Sequence, residues 1–218
     1  LQAPMNEPGY WNFYEWSQGL SDGFSSNLRN KNDYRNFDGP LSVFYILALD
    51  AMIKIAKFLY SHTKTVTDTN GNLHDIDFVE KISWCELLLN GAKNAFHDTF
   101  WDSEVGAYCS YVVNAEKLHF SELMNSLALY AGLVPDKYIK RVADILSEKA
   151  ECSPALIKIT LSHAIFKYEA LLGLGEDYSD YVIADIADKW GNRLLSGATS
   201  FWETVGGAWD FDCAGSLC

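Results

Sequence analysis

Nowhere in the 218 residues does an apolar run reach the roughly 20 residues that a bilayer-spanning helix needs. The most apolar stretch, 41–60, is broken by Asp50, Lys54 and Lys57. Positive charge is scarce as well: 17 Lys and Arg stand against 29 Asp and Glu, a net charge of −12. That balance repels phosphate backbones and anionic surfaces, so neither nucleic acid nor a membrane is an expected partner. No Gly-rich phosphate loop is present, and the five histidines (His62, His74, His97, His119, His163) have no Ser or Cys partner motif of the triad kind. The five cysteines (Cys85, Cys109, Cys152, Cys213, Cys218) are odd in number, widely spaced and without a CxxC pair. They read as free core thiols, with a Cys213–Cys218 disulfide as the alternative, and neither a metal nor a cofactor is expected.

What the chain does have is apolar and aromatic mass. Hydrophobic residues make up 49% and aromatics 14%, which excludes a disordered chain and suffices for one domain with a sizeable core, 1–218. The chain opens on Leu1, lacks a basic segment followed by an apolar one, and closes on Cys218 in what reads as an unfinished segment, so a piece of a longer protein is expected. Compartment signals would then lie elsewhere, and the localisation stays unknown, with a secreted or periplasmic parent as the expectation.

The pattern along the chain is helix after helix. Gly39-Pro40 opens a helix over 41–61 whose Asp50, Lys54, Lys57 and Ser61 form one narrow polar stripe on an apolar cylinder, which predicts cover on most of its circumference. Asp68-Thr69-Asn70-Gly71-Asn72 is a turn that tolerates positive φ. Its acidic content suggests a calcium loop, but Gly71 falls in the fourth rather than the sixth position of that pattern. A helix over 76–96 follows, then a turn at 100–108, an extended stretch at 108–113 and a helix from about 120 to Gly132. In that helix Glu122, Asn125 and Ser126 share one face, where they either satisfy one another in the core or line a cavity. Further helices are predicted over 136–149, over 154–172 with Ser153-Pro154 as its cap and first turn, and over 178–194. Charged outer helices alternating with apolar inner ones predict an all-α chain, part of an α/α toroid built from sequential helical hairpins.

The chemistry concentrates in loops. After the last helix comes Ala198-Thr199-Ser200-Phe201-Trp202-Glu203-Thr204 and then Val205-Gly206-Gly207-Ala208-Trp209-Asp210-Phe211, a carboxylate between indole rings in a glycine-punctuated segment. Indole faces suit the apolar side of a pyranose, and a carboxylate handles its hydroxyls or a water. An aromatic-rich loop packed on itself, with Glu203 capping a helix, is the alternative reading. Near the start, Gly9-Tyr10-Trp11-Asn12-Phe13-Tyr14-Glu15-Trp16-Ser17-Gln18-Gly19 repeats the aromatic and acidic composition.

These two segments, with His119-Phe120-Ser121-Glu122-Leu123-Met124-Asn125 between them, resemble the catalytic region of the α-L-rhamnosidases of glycoside hydrolase family 78, an (α/α)6 barrel. The resemblance runs over nearly the whole chain. It implies an inverting hydrolase of terminal α-L-rhamnosyl residues, in which Glu203 is the general base and Trp11, Glu15, Trp16, Trp202, Trp209 and Asp210 bind the sugar. Many family members have Asp where Glu15 stands. The general acid is implied to lie before Leu1, and nothing here matches it, so three of six hairpins are expected and the isolated piece is expected to be inactive. Two other readings remain: a non-catalytic sugar-binding or scaffold toroid, or an (α/α)6 glycosidase acting on another sugar. Half a toroid would leave apolar flanks bare, so the remainder of a parent chain or self-association is the expected partner besides carbohydrate.

Overall fold

The computed structural model describes residues 37–62, 65–75 and 78–199. Two long helices come first, α1 over Gly39–His62 and α2 over Phe78–Phe100, in place of the predicted 41–61 and 76–96. Asp38, almost fully buried, begins α1: its Oδ1 accepts the Leu41 N–H at 3.1 Å, and Pro40 takes the first turn, where its missing N–H leaves nothing unpaired. Between the helices, a two-stranded antiparallel ribbon pairs β2 (Thr65–Thr67) with β3 (Leu73–Asp75). Its turn is organised by Asp68, whose Oδ1 accepts the N–H groups of Asn70 and Asn72 at 2.8 and 2.9 Å and whose Oδ2 accepts from Asn72 Nδ2 and His74 Nε2. Those donors hold the Asp68 carboxyl down at about 2, the His74 hydrogen bond foremost. Turn chemistry accounts for the composition that suggested a calcium loop, and Gly71 supplies the φ of 86° that the turn requires.

The chain is helix-rich but not all-α, which corrects the expected class. A small antiparallel sheet centres on β5 (Ala107–Val113), with β1 (Phe37–Asp38), β4 (Trp101–Asp102) and β6 (Glu116–Phe120) paired to it. The extended stretch at 108–113 was legible in its aromatic and β-branched residues. Its partner β6 was not, because Glu116-Lys117-Leu118-His119-Phe120 has no clear alternation. The hairpin between them turns on Asn114 and Ala115, at φ 51° and 65°, the two left-handed positions of a tight turn that matches strand twist.

Four further helices and a short terminal one follow: α3 over Glu122–Tyr130, α4 over Asp136–Leu146, α5 over Ala164–Leu172, α6 over Ser179–Ile186 and α7 over Asn192–Leu195. Ser121 caps α3 by accepting the Met124 N–H at 3.1 Å. In chain order the helices pair as α1 with α2, α3 with α4 and α5 with α6, and α3 also packs against both α1 and α5. The core runs through these contacts, from Val43 and Ile46 through Leu123 and Leu127 to Leu171 and Val182.

Two predicted helices are corrected. The 154–172 helix shrinks to α5, because residues 154–160 run extended beside the start of α3. Ile157 donates to the Phe120 carbonyl and accepts from the Glu122 N–H, at 2.9 and 2.8 Å. Those backbone bonds satisfy the segment without a helix, so the Ser153-Pro154 signal is overridden by tertiary pairing. The 178–194 helix is interrupted by a π-helical turn, Ala187–Gly191, between α6 and α7. Cys85 and Cys109 are buried free thiols as read, whereas Cys152 is a free thiol on the surface; Cys213 and Cys218 lie outside the described residues. Among the described residues no helix is long and apolar enough to cross a membrane.

Candidate functional site

Every predicted site residue, Trp11, Glu15, Trp16, Trp202, Glu203, Trp209 and Asp210, lies outside the described residues. What can be read is the scaffold between the two aromatic segments, and its most unusual feature is the amount of charge it buries.

The centre is Glu122, 2% exposed, at the first turn of α3. Its Oε1 accepts from Lys158 Nζ and Lys167 Nζ, each at 3.1 Å, and its Oε2 accepts the Ile159 N–H at 3.0 Å. Lys167 is itself fully buried on α5 and donates also to the Tyr181 hydroxyl at 2.8 Å, while Lys158 reaches outward to Glu148 at 2.6 Å. Two ammonium groups thus meet two carboxylates, and the cluster is neutral as a whole. Burial works against the charge on Lys158, but Glu148 and Glu122 outweigh it and raise its pKa, and Glu148 is lowered in turn by its bond to Lys158. A second group lies next to the π-helical turn. The Tyr168 hydroxyl and Lys189 Nζ both donate to Asp185 Oδ2 at 2.8 Å and lower its pKa against the opposing effect of burial.

This is the wiring of a lock. Glu122 gives its lone pairs to three donors, and the described carboxyls with displaced pKa values (Asp68, Glu148 and Asp185) are all moved down. A general acid needs the reverse, a carboxyl whose proton is retained near neutral pH. On the polar face of α3, Glu122 is thus satisfied within the core. Asn125 makes the same point: its Oδ1 accepts the Tyr108 N–H at 2.9 Å, and its Nδ2 donates to the carbonyls of Tyr108 and Ser121 at 3.1 and 2.9 Å. Ser126 Oγ, fully buried, has no hydrogen-bond partner among the described residues.

An aromatic cluster closes the other end of the sheet. His97 Nδ1 and the Tyr108 hydroxyl are 2.8 Å apart, and the rings of His97, Trp101 and Tyr138 lie near-parallel with centroids 4.4–5.4 Å apart. Burial lowers the His97 pKa and raises that of Tyr108. The rings form packing between α2, β4, β5 and α4.

Sequence reasoning singled out Glu122 and Asn125 but missed Lys158 and Lys167 as the partners of Glu122. The usable signal was Lys158 and Lys167 in the largely apolar run 154–172, whose one acidic residue is Glu169, because a buried cation needs an anion.

No family model matches the chain, and no curated protein matches it. Among solved structures, it is similar to the crystal structure of a GH78 family rhamnosidase of Bacillus sp. GL1, with 20% identity and a TM-score of 0.63. The match covers 89% of this chain and 17% of that one. The likeness shows a shared fold, and the chain spans less than a fifth of the length of the enzyme it matches.

Proposed function

We propose that this chain is part of the catalytic (α/α)6 toroid of an inverting glycoside hydrolase that removes terminal α-L-rhamnosyl residues. The observation that carries the reading is the fold shared with a GH78 rhamnosidase over 89% of the chain. Glu203 is the proposed general base, activating a water beneath the anomeric carbon. Trp11, Trp16, Trp202 and Trp209 supply stacking faces, and Glu15 and Asp210 bind hydroxyls. An inverting site needs its acid and base roughly 6.5–9.5 Å apart so that the water fits between carboxylate and sugar. The resemblance implies that the general acid lies before Leu1. The Glu122 lock then has a mechanical role, since it fixes α3 against α5.

The activity belongs to the whole polypeptide, because the chain corresponds to 17% of the enzyme it resembles. The test is hydrolysis of an aryl α-L-rhamnoside by that polypeptide and by its Glu203→Gln form. Turnover should fall by on the order of 10²-fold or more, the range expected for losing a general base. L-Rhamnose binding, followed by calorimetry, should survive the substitution. Binding without turnover in the unsubstituted protein would replace the hydrolase by a sugar-binding toroid; turnover of a different glycoside would keep the mechanism and change the sugar.

A further inference from the structure

His97 sits where the end of α2 meets β5 and α4. It is partly buried, and its ring is near-parallel to those of Trp101 in β4 and Tyr138 in α4, with centroids 5.4 Å from each. Its Nδ1 is 2.8 Å from the hydroxyl of Tyr108, a β5 residue with no exposed surface. Among the described residues that contact is the hydroxyl's one hydrogen bond. The Tyr108 ring is otherwise flanked by Phe96 and Trp101, at 5.5 and 5.0 Å between centroids.

The protonation state of His97 decides whether this arrangement closes. In a neutral imidazole one nitrogen donates and the other accepts, so Nδ1 can accept from the Tyr108 hydroxyl while Nε2 carries the ring's own proton. In the charged ring both nitrogens donate. An N–H then meets an O–H, and the phenol can accept only by turning its proton toward the neighbouring aromatic rings, which leaves a buried donor unpaired.

The charges around the ring act in the same direction. Lys117 of β6 donates to the Trp101 carbonyl, and Lys137 of α4 stands 4.6 Å from the centroid of the Tyr138 ring. Burial is the largest effect opposing a charge on His97, and both ammonium groups add to it, whereas Asp98, its neighbour on α2, favours the charge. The rings of Trp101 and Tyr138 favour a cation as well. Burial and the two lysines prevail, and the His97 pKa is lowered from the ordinary 6.5.

We propose that His97 is an acid-sensitive tie between α2, β5 and α4: neutral, it accepts the Tyr108 hydroxyl and closes the aromatic cluster; protonated, it gives up that bond and weakens the fold at this seam. For a base whose folded-state value lies below the unfolded one, the contribution is complete above about 6.5 and is lost as the pH falls from there to the folded-state value. The inference is independent of the proposed activity.

The test is urea unfolding of the 218-residue chain, of its His97→Gln form and of its Tyr108→Phe form, at about pH 7.5 and about pH 5, on either side of the ordinary histidine value. The His97 ring is titrated in parallel by NMR. In the parent it should titrate below 6.5, and the urea midpoint should fall on acidification. Gln is neutral at both pH values and its amide oxygen can still accept from Tyr108, so the fall should be smaller in His97→Gln. Some of it should remain, because burial lowers the pKa of His163 too. Tyr108→Phe keeps the ring and removes only the hydroxyl, so His97 should titrate higher there than in the parent, a readout that stands even if the Gln form folds poorly. Three outcomes would overturn the proposal. One is a His97 that titrates at 6.5 or above, which would mean that Asp98 and the flanking rings hold a cation in place. The others are urea midpoints that fall equally in the parent and in His97→Gln, and a His97 titration unmoved by Tyr108→Phe.

Discussion

The centre of the molecule and its first hairpin invert the usual distribution of polarity. Around α3 and α5, Glu122 and Lys167 are 2% and 0% exposed; on α1 and α2, Ile55 and Leu87 are 59% and 72% exposed. Burying charge is costly unless every partner is present, so the centre gains little net stability from the pair but is intolerant of losing either half. An exposed apolar side chain costs little where it stands and gains only on association. The centre is thus sensitive to the loss of a partner, and the exposed side of the hairpin tolerant of substitution.

The largest effect should come from breaking the central pair. Glu122→Ala leaves Lys167 buried against Tyr181 without its carboxylate, and should lower the unfolding free energy in urea by about 3–5 kcal/mol. Glu122→Leu combined with Lys167→Met should recover much of that loss. A double variant as unstable as the single one would show that the pair itself adds net stability.

Next in size is a contrast within one helix. Ile46→Ala, at a core position 2% exposed, should cost about 2–5 kcal/mol, whereas Ile55→Ala should stay within about 0.5 kcal/mol for the monomer. Equal costs would mean that the outer side of α1 is covered in the folded chain, and the comparison would collapse.

The smallest effect lies at the base of the hairpin, in the Asp68 turn. The Asp68 carboxyl titrates at about 2 because donors surround its ionised form, His74 first. A folded-state value below the unfolded one means that this contribution is complete above the ordinary carboxylate pKa and is lost as the pH falls from there through about 2. His74→Ala should move the carboxyl titration, read by 13C NMR, upward toward its ordinary value. An unmoved titration would assign the depression to the Asn70 and Asn72 donors instead.

How much of this was legible depended on whether local chemistry decided the outcome. The long helices followed from periodicity, α3 from its apolar run ended by Gly132 and the Asp68 turn from its Asn-Gly pair, because each rests on residues a few positions apart. The 154–172 helix failed because Ile157 finds its backbone partners at Phe120 and Glu122, more than thirty residues away. The aromatic-acidic segments around Glu15 and Glu203, which carry the proposed chemistry, lie outside the described residues.

By itself, the sequence determined the helix-rich class, the order of the hairpins, the acidic surface and the segments where carboxylates alternate with indoles. All of these depend on composition and on spacing within a turn or two. Tertiary structure alone decided that Glu122 would be held by Lys158 and Lys167, that β6 would turn an all-α expectation into a mixed one, and that one side of α1 would face solvent. Pairing across tens of residues is chosen by whichever partner completes a buried group, and no local pattern encodes that choice.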